Sequence, residues 1–195
     1  AEKLANGNYL IGSHSQEKQV EATRDKKVGW EYPTKAMGAV QLGNGNVLAA
    51  THTSHTVIEI RKRDKQIVWQ YNAGADCYKA RRLPNGNTLV AGQRFIREVT
   101  PRKTVAWEYN EGTYFYSIQP LPGGNIVTVD HSGSIFELNR AKKRVWELQH
   151  RSSTGAFKLS NGNVLVAFSG NIKEFTRKGK EIWTYSGNQY GYAHR

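Results

Sequence analysis

Short apolar or alternating runs of four to five residues recur along this chain and are separated by turn residues. In one representative stretch they occupy residues 39–42, 47–51, 57–60 and 67–71. These runs are rich in β-branched and aromatic residues, which is typical of strands, and no stretch shows the period of an amphipathic helix. Asn44-Gly45 separates the first two runs and is a strong hairpin signal, for which we expect positive φ at both positions. The pattern predicts four short antiparallel strands joined by tight turns.

This four-strand pattern repeats along the whole sequence. The hairpin signal occurs five times, as Asn6-Gly7-Asn8, Asn44-Gly45-Asn46, Asn85-Gly86-Asn87, Gly123-Gly124-Asn125 and Asn161-Gly162-Asn163. A tryptophan follows each copy at a nearly constant distance, as Trp30, Trp69, Trp107, Trp146 and Trp183. A repeat of roughly 40 residues indicates a propeller, a solenoid or an array. Four strands per repeat favour a propeller blade, because one-strand-per-turn solenoids have shorter periods and the strands of a β-sandwich would not repeat in register.

We therefore predict an all-β fold, a closed five-bladed β-propeller with four antiparallel strands per blade. It forms a single domain over residues 1–195, with blades at approximately 191–195 plus 1–32, 37–71, 78–109, 116–148 and 155–185. Because the tail at 191–195 matches the start of a blade, we predict that the C-terminal strand closes the first blade. The alternative is that residues 1–4 form that strand and the tail opens a further blade, which would make the chain a fragment of a larger propeller.

The repeat resembles a known class of propeller blade. Residues 83–91, 97–99 and 105–109 read LPNGNTLVA, REV and VAWEY, a pattern similar to the blades of quinoprotein-like (PQQ-like) and arylsulfotransferase-type propellers. The resemblance covers all five copies and implies a propeller that is often exported. Exported, periplasmic or extracellular localisation is therefore favoured over cytoplasmic localisation. The acidic calcium ligands of the quinone-binding enzymes have no counterpart here, and no motif matches the arylsulfotransferase catalytic site. We expect no cofactor and no enzymatic activity.

Composition narrows the choice of partner. The formal net charge of +12 favours acidic partners. The single Cys77 excludes an internal disulfide. In addition, no apolar run approaches the ~20 residues that a membrane-spanning helix needs, so we expect no membrane span. The expected partner is a glycan or a polyanion, with a protein partner as a further possibility, and we expect a monomer.

One face of the predicted propeller carries basic turns beside the Asn-Gly turns. Five like-signed clusters would give this rim a positive potential suited to a sulfated glycan, a nucleic acid or an anionic surface. The alternative is a set of solvated turns that only keeps the protein soluble. The rim candidates are Lys27, Arg61, Lys62, Arg63, Lys103, Lys142, Lys143, Arg177 and Lys178.

The opposite face carries aromatic and histidine side chains in its loops. Aromatic rings offer apolar faces to sugar CH groups, and neighbouring polar groups satisfy sugar hydroxyls. The alternative is that the tyrosines pack between blades or plug the channel mouth. A metal site is not expected, because the histidines lack local ligand spacing. The candidate ligand-binding residues are His14, His52, Tyr78, Lys79, Tyr114, Tyr116, His131, Tyr190 and Tyr192.

Two features shared by every repeat point to structure rather than function. Each repeat has a glutamate in its third strand, which we expect to accept hydrogen bonds or to pair with basic residues between blades. The five tryptophans are expected to fill the gaps between neighbouring blades. The glutamates are Glu21, Glu59, Glu98, Glu137 and Glu174.

The sequence thus favours a non-enzymatic, lectin-like protein that binds glycans through the Tyr/His loop face. One alternative is polyanion binding through the basic rim. Another is a protein-interaction scaffold, although the sequence offers no obvious exposed apolar patch for it.

Overall fold

A computed structural model describes residues 1–13, 15–111, 113–168 and 170–187, and every regular element among them is a β-strand. Each of the five sheets has four antiparallel strands that follow one another along the chain. These sheets are the blades of a five-bladed β-propeller, which confirms the predicted fold class. None of the described residues belongs to a helix that is long and apolar enough to cross a membrane.

The chain divides into two compact units, Ala1–Glu108 and Tyr109–Arg195. The first unit contains blades one and two and, apart from Tyr109, blade three. Blade one consists of β1 (Glu2–Lys3), β2 (Tyr9–Ser13), β3 (Lys18–Ala22) and β4 (Val28–Pro33). Blade two consists of β5 (Ala36–Gln41), β6 (Val47–Thr51), β7 (Thr56–Arg61) and β8 (Gln66–Asn72). Blade three consists of β9 (Cys77–Arg82), β10 (Thr88–Gly92), β11 (Phe95–Val99) and β12 (Val105–Tyr109).

The second unit contains the remaining two blades. Blade four consists of β13 (Phe115–Pro120), β14 (Ile126–Asp130), β15 (Ser134–Leu138) and β16 (Arg144–Gln149). Blade five consists of β17 (Ser153–Lys158), β18 (Val164–Phe168), β19 (Asn171–Phe175) and β20 (Glu181–Ser186). The strands of blades two to five thus span residues 36–72, 77–109, 115–149 and 153–186.

The first strand of blade one differs from the prediction. Glu2 pairs with Leu10 and Lys3 pairs with Tyr9, so β1 holds the position that we assigned to the C-terminal segment. In the register of the repeat, Lys3 opposite Tyr9 corresponds to Gln41 opposite Val47 in blade two. This is the alternative in which the first residues supply that strand. The tail at 191–195 lies outside the described residues.

The Asn-Gly turns also differ in detail. Leu42 N–H donates to Asn46 O at 2.8 Å, and Gly45 N–H donates to Leu42 O at 2.9 Å. Only the glycine has positive φ, at 82°. The connection is a type I turn followed by one left-handed glycine rather than a turn with two left-handed residues.

The apolar cores lie between consecutive sheets. Leu10 of blade one packs with Val47 and Ile58 of blade two, and Val127 of blade four packs with Val166 of blade five. The middle strands β6, β10 and β14 are buried along their whole length. The outer strand β16 alternates between more and less exposed residues, and the outer strand β20 is exposed throughout. Each blade therefore needs its neighbour to cover its apolar face.

Candidate functional site

The repeated glutamates and the Asn-Gly-Asn turns form one structural network. In blade two, Glu59 Oε1 accepts hydrogen bonds from Asn44 Nδ2 at 3.2 Å and from Asn46 Nδ2 at 2.7 Å. Its second oxygen pairs with Arg82 of blade three at 2.5 Å. Glu137 likewise binds Asn125 within its blade. The expectation that these carboxylates are hydrogen-bonded or paired with basic residues between blades is confirmed at these positions.

The tryptophans complete this contact between blades. Trp146 Nε1 donates to the backbone carbonyl of Arg177 at 2.8 Å, and the Arg177 guanidinium lies 4.7 Å from the centre of the Trp146 ring. Trp30 makes the same bond to Lys62 at 3.2 Å. We call this set of contacts, formed by tryptophan, carboxylate, cation and turn carbonyl, the blade junction. It confirms the interblade position expected for these tryptophans.

Several predicted rim residues belong to blade junctions or to local ion pairs. Lys62 pairs with Glu21, and Arg177 pairs with Glu137 at 2.8 Å. Arg61 pairs with Asp64 of its own turn at 2.8 Å. Arg63 Nε also lies 3.8 Å from Asp64 Oδ2, although its side chain is largely exposed. The other candidates lie exposed on their turns, and these are Lys27, Lys103, Lys142, Lys143 and Lys178.

At the loop end of blades two and three, two histidines share one carboxylate. His52 Nε2 lies 3.0 Å from Asp76 Oδ2, and His55 Nδ1 lies 2.9 Å from Asp76 Oδ1. The histidines come from the loop between β6 and β7, and Asp76 comes from the loop between β8 and β9. Gly92 makes this approach possible, because a Cβ atom there would lie 2.1 Å from the Asp76 carbonyl oxygen. The arrangement offers both hydrogen-bond donors and acceptors to a ligand.

The three residues that follow Asp76 lie in β9 rather than in a loop. Tyr78 is only 6% exposed, and its ring centre lies 5.5 Å from that of His52. Cys77 is fully buried, and burial raises the pKa of its thiol to about 12. Lys79 is enclosed against blade two, where its Nζ donates to Met37 O at 3.3 Å. Tyr78 therefore packs against His52, in line with the alternative that the tyrosines have a packing role. Lys79 lies in a strand and not on an open loop.

In the second unit, the predicted aromatic residues of blade four do meet. Tyr116 Oη and His131 Nδ1 are 2.5 Å apart. The ring centres of Tyr114 and Tyr116 lie 5.4 Å and 5.8 Å from that of His131. Burial raises the pKa of Tyr116, with a smaller contribution from Tyr114. The exposed imidazole thus contacts two partly buried phenol rings, and we call these three residues the Tyr–His cluster.

Asp130 shapes the loop that carries His131. Its Oδ1 accepts hydrogen bonds from Ser132 N–H at 2.8 Å, from Ser132 Oγ at 2.6 Å and from Ser134 N–H at 3.1 Å. His131 N–H in turn donates to Tyr114 O at 2.9 Å. Because the loop backbone is fixed on both sides of His131, the imidazole is held against the two tyrosines.

Three predicted site residues, His14, Tyr190 and Tyr192, lie outside the described residues. Within the described ranges, no group of three or more His, Cys, Asp or Glu side chains has a geometry suited to a metal ion.

The sequence reasoning missed two residues, His55 and Asp76. The available signals were the His52-x-x-His55 spacing and an acidic residue immediately before an inner strand. Neither signal shows by itself that the loops of two different blades meet.

The outer strand of blade five exposes apolar side chains that the sequence analysis did not anticipate. Ile182 is 49% exposed, Trp183 is 48% exposed and Tyr185 is 56% exposed. The rings of Trp183 and Tyr185 stack with their centres 6.5 Å apart. Trp183 therefore differs from Trp30 and Trp146, which are half-buried in blade junctions.

No protein-family model matches the sequence, and no curated protein is significantly similar to it. Solved structures nevertheless share its fold. A protein of unknown function from Bacteroides caccae is 21% identical with a TM-score of 0.76, and the match covers 92% of this chain and 72% of that one. Virginiamycin B lyase from Staphylococcus aureus is 18% identical with a TM-score of 0.70, and the match covers 94% of this chain and 67% of the lyase. The WD40 β-propeller domain of Doa1 is 10% identical with a TM-score of 0.71, with 92% of this chain and 64% of that one covered.

These similarities correct one expectation and limit another. The expectation that the chain is not an enzyme is contradicted, because a lyase has this fold, and the fold is compatible with an enzyme or a binding protein. The specific resemblance to quinoprotein-like or arylsulfotransferase-type repeats is not confirmed. At these identities the likeness shows the fold alone: the chain is similar to proteins built on a β-propeller.

Proposed function

We propose that this protein binds a polyhydroxylated ligand, most simply a glycan, through the loop ends of its blades, with the Tyr–His cluster as the principal contact. The observation that carries the proposal is the contact of the exposed His131 imidazole with the rings of both Tyr114 and Tyr116. An apolar ring surface beside a hydrogen-bonding group is the combination that a sugar ring recognises, because sugars present CH patches next to hydroxyls.

The geometry of the cluster supports this chemistry. The short contact between Tyr116 Oη and His131 Nδ1 fixes the orientation of the imidazole. His131 Nε2 is then directed away from that bond and can exchange a hydrogen bond with a ligand hydroxyl. Because Asp130 fixes the loop backbone, little side-chain or loop entropy is lost on binding.

In the first unit, the pair of histidines on Asp76 is a separate group with related chemistry. A carboxylate held between His52 and His55 presents acceptors beside donors, which suits vicinal hydroxyls. Because Tyr78 is buried, this second group lacks an exposed ring and supplies polar contacts only. We assign it a secondary role.

The test is a glycan array with neutral and sulfated sugars at physiological salt, followed by titration of the best ligand. Tyr114→Ala and His131→Ala are expected to weaken binding by about tenfold or more, because each removes one side of the cluster. Tyr185→Ala is the matched control, since it removes an exposed tyrosine from the outer strand of blade five. Unchanged affinity in both cluster variants would overturn the proposal.

Mass spectrometry of the recovered glycans distinguishes binding from turnover, which matters because the fold also hosts a lyase. Unchanged masses support a binding role. A mass change that disappears in His131→Ala assigns a reaction to the same cluster.

Polyanion binding through the basic turns is the second candidate, and the exposed Lys103, Lys142 and Lys178 favour it. It has less support, because Lys62 and Arg177 already neutralise carboxylates in blade junctions. This function predicts a steep loss of affinity for heparin-like chains as salt rises, owing to counterion release. A flat salt dependence would exclude it.

A further inference from the structure

Arg81, on the inner strand of blade three, forms no close ion pair within the part of the chain that the structure describes. Arg81 Nη1 donates to the neighbouring Ala80 carbonyl at 3.2 Å, and no carboxylate among the described residues lies within ion-pair distance of its guanidinium. Arg82, the next residue, is fully engaged with Glu59 at 2.5 Å and Gly86 O at 3.0 Å. Because burying a charge without a partner is costly, the position of Arg81 needs an explanation.

A second cation accompanies Arg81. Lys79 lies two residues away, so both side chains leave β9 on the same side. A Cβ atom on Gly38 would lie 2.9 Å from Lys79 Nζ, which shows how closely the lysine is held against β5. Burial, together with the charge of Arg81, lowers the pKa of Lys79 to about 8. Burial also lowers the pKa of Arg81, and the nearby Glu2 only partly offsets this.

Arg81 borders a cavity of about 380 Å³ at the turn end of blades two and three. Arg81, Arg82, Glu2 and Gln41 all line it. Glu2 Oε2 accepts a hydrogen bond from Gln41 N–H at 2.9 Å. A carboxylate of the chain itself therefore occupies part of a surface that combines a backbone donor with a nearby guanidinium.

We propose that this cavity is a binding site for a small oxyanion of the sulfate or phosphate type, held by Arg81 and the Gln41 backbone N–H. A guanidinium offers two parallel N–H donors that match a tetrahedral oxyanion, and a backbone N–H adds a third. The oxyanion takes the place of the Glu2 carboxylate beside Gln41. Lys79, on the same side of β9 as Arg81, adds positive charge near the site. This site is independent of the Tyr–His cluster.

The test is calorimetric titration of the full chain with sodium sulfate, with ionic strength held constant by sodium chloride. Sulfate is the probe because its charge does not change between pH 6 and 10. We expect saturable binding that Arg81→Gln weakens by about tenfold or more. Arg63→Gln is the matched control, because Arg63 is exposed on a basic turn and its loss is expected to change the affinity by less than about twofold.

Two further sulfate titrations, one with a Glu2 variant and one at raised pH, test the roles of Glu2 and Lys79. Glu2→Gln is expected to tighten sulfate binding, because the competing carboxylate is removed. Raising the pH through 8 is expected to weaken it, because Lys79 loses its proton there. Arg81→Lys, which retains the charge but loses the paired donors, serves if Arg81→Gln does not fold. No saturable binding by the wild-type chain, or equal losses in the Arg81 and Arg63 variants, would overturn the proposal.

Discussion

Trp146 and Arg177 hold each other in two ways: the indole N–H donates to the arginine's backbone carbonyl at 2.8 Å, and the guanidinium covers the indole ring. The same guanidinium reaches Glu137 on the blade that carries the tryptophan. One arginine thus joins blade five to blade four through backbone, ring and charge. The blade junction concentrates interblade binding energy in a few side chains.

Replacement of Trp146 should therefore be costly. We expect Trp146→Ala to lower the free energy of unfolding by about 3 kcal/mol, because it removes packing area and leaves the Arg177 carbonyl without its donor. Urea denaturation measures this loss. The control is Trp183→Ala, which removes a tryptophan that is 48% exposed and is expected to cost less than about 1 kcal/mol. Similar losses in the two variants would contradict the assigned role of the junction.

Glu137 should make the free energy of unfolding depend on pH in the acid range. Burial by itself raises the pKa of Glu137, but hydrogen bonds from Asn125 and Lys158 and the charge of Arg177 outweigh it, so the pKa lies below its ordinary value of 4.5. The folded state therefore binds this proton more weakly than the unfolded chain does. The resulting stabilisation is present above pH 4.5 and is lost as the pH falls through the lowered pKa.

Comparison with Glu137→Gln tests this dependence. The stability difference between wild type and variant is expected to be largest near neutral pH and to shrink as the pH falls below about 4.5. Glu31→Gln, which alters an exposed side chain, serves as the control. A difference that stays constant from neutral to acid pH would show that Glu137 contributes no proton linkage.

Cys77 should be inert in the folded protein. It is fully buried, and burial raises the pKa of its thiol to about 12, so almost no thiolate forms at pH 8. We expect no reaction with a thiol reagent such as DTNB until urea unfolds the chain. Ser160→Cys places a thiol on an exposed turn and should react at once under the same conditions. Equal rates for the two thiols would contradict the burial of Cys77.

Gly92 should tolerate no side chain. A Cβ atom there would lie 2.1 Å from Asp76 O and 2.6 Å from the Phe95 ring. We expect Gly92→Ala to cost more than about 2 kcal/mol, since either the loop that holds Asp76 or the ring must move. Gly29→Ala is the matched control, because nothing lies within 4 Å of its added Cβ, and it should leave thermal stability nearly unchanged. A well-tolerated Gly92→Ala would show that the loop bearing Asp76 moves readily.

The sequence predicted the blades well because their determinants are local. The strand at Val47–Thr51 has its predicted bounds, and those at Thr56–Arg61 and Gln66–Asn72 differ by one residue at each end. Apolar alternation and the Asn-Gly turn act over a few residues, so the pattern alone locates them. Because the pattern repeats, a strand assignment made in one blade can be applied to the next blade.

The candidate sites were harder to predict because they depend on contacts between distant segments. Asp76 meets His52 and His55 only when the loops of two blades come together, and no sequence spacing encodes that approach. Tyr78 was assigned to a loop, but β9 already begins at Cys77, and the Tyr78 ring is buried within this strand. The contact of His131 with Tyr114 and Tyr116 forms within one blade, because the two tyrosines lie at or next to the start of β13 and His131 directly follows β14.

The blade junction has a consequence for how such a chain can change over time. Each half of the contact lies within a single repeat: the tryptophan and carboxylate belong to one blade, and the turn carbonyl and cation belong to the next. A gene segment that encodes one whole repeat therefore encodes both halves of the contact: a tryptophan and carboxylate for the next blade, and a turn carbonyl and cation for the preceding blade. Duplication, deletion or exchange of that segment leaves matching partners at each seam, while the loops that contact ligands remain free to diverge.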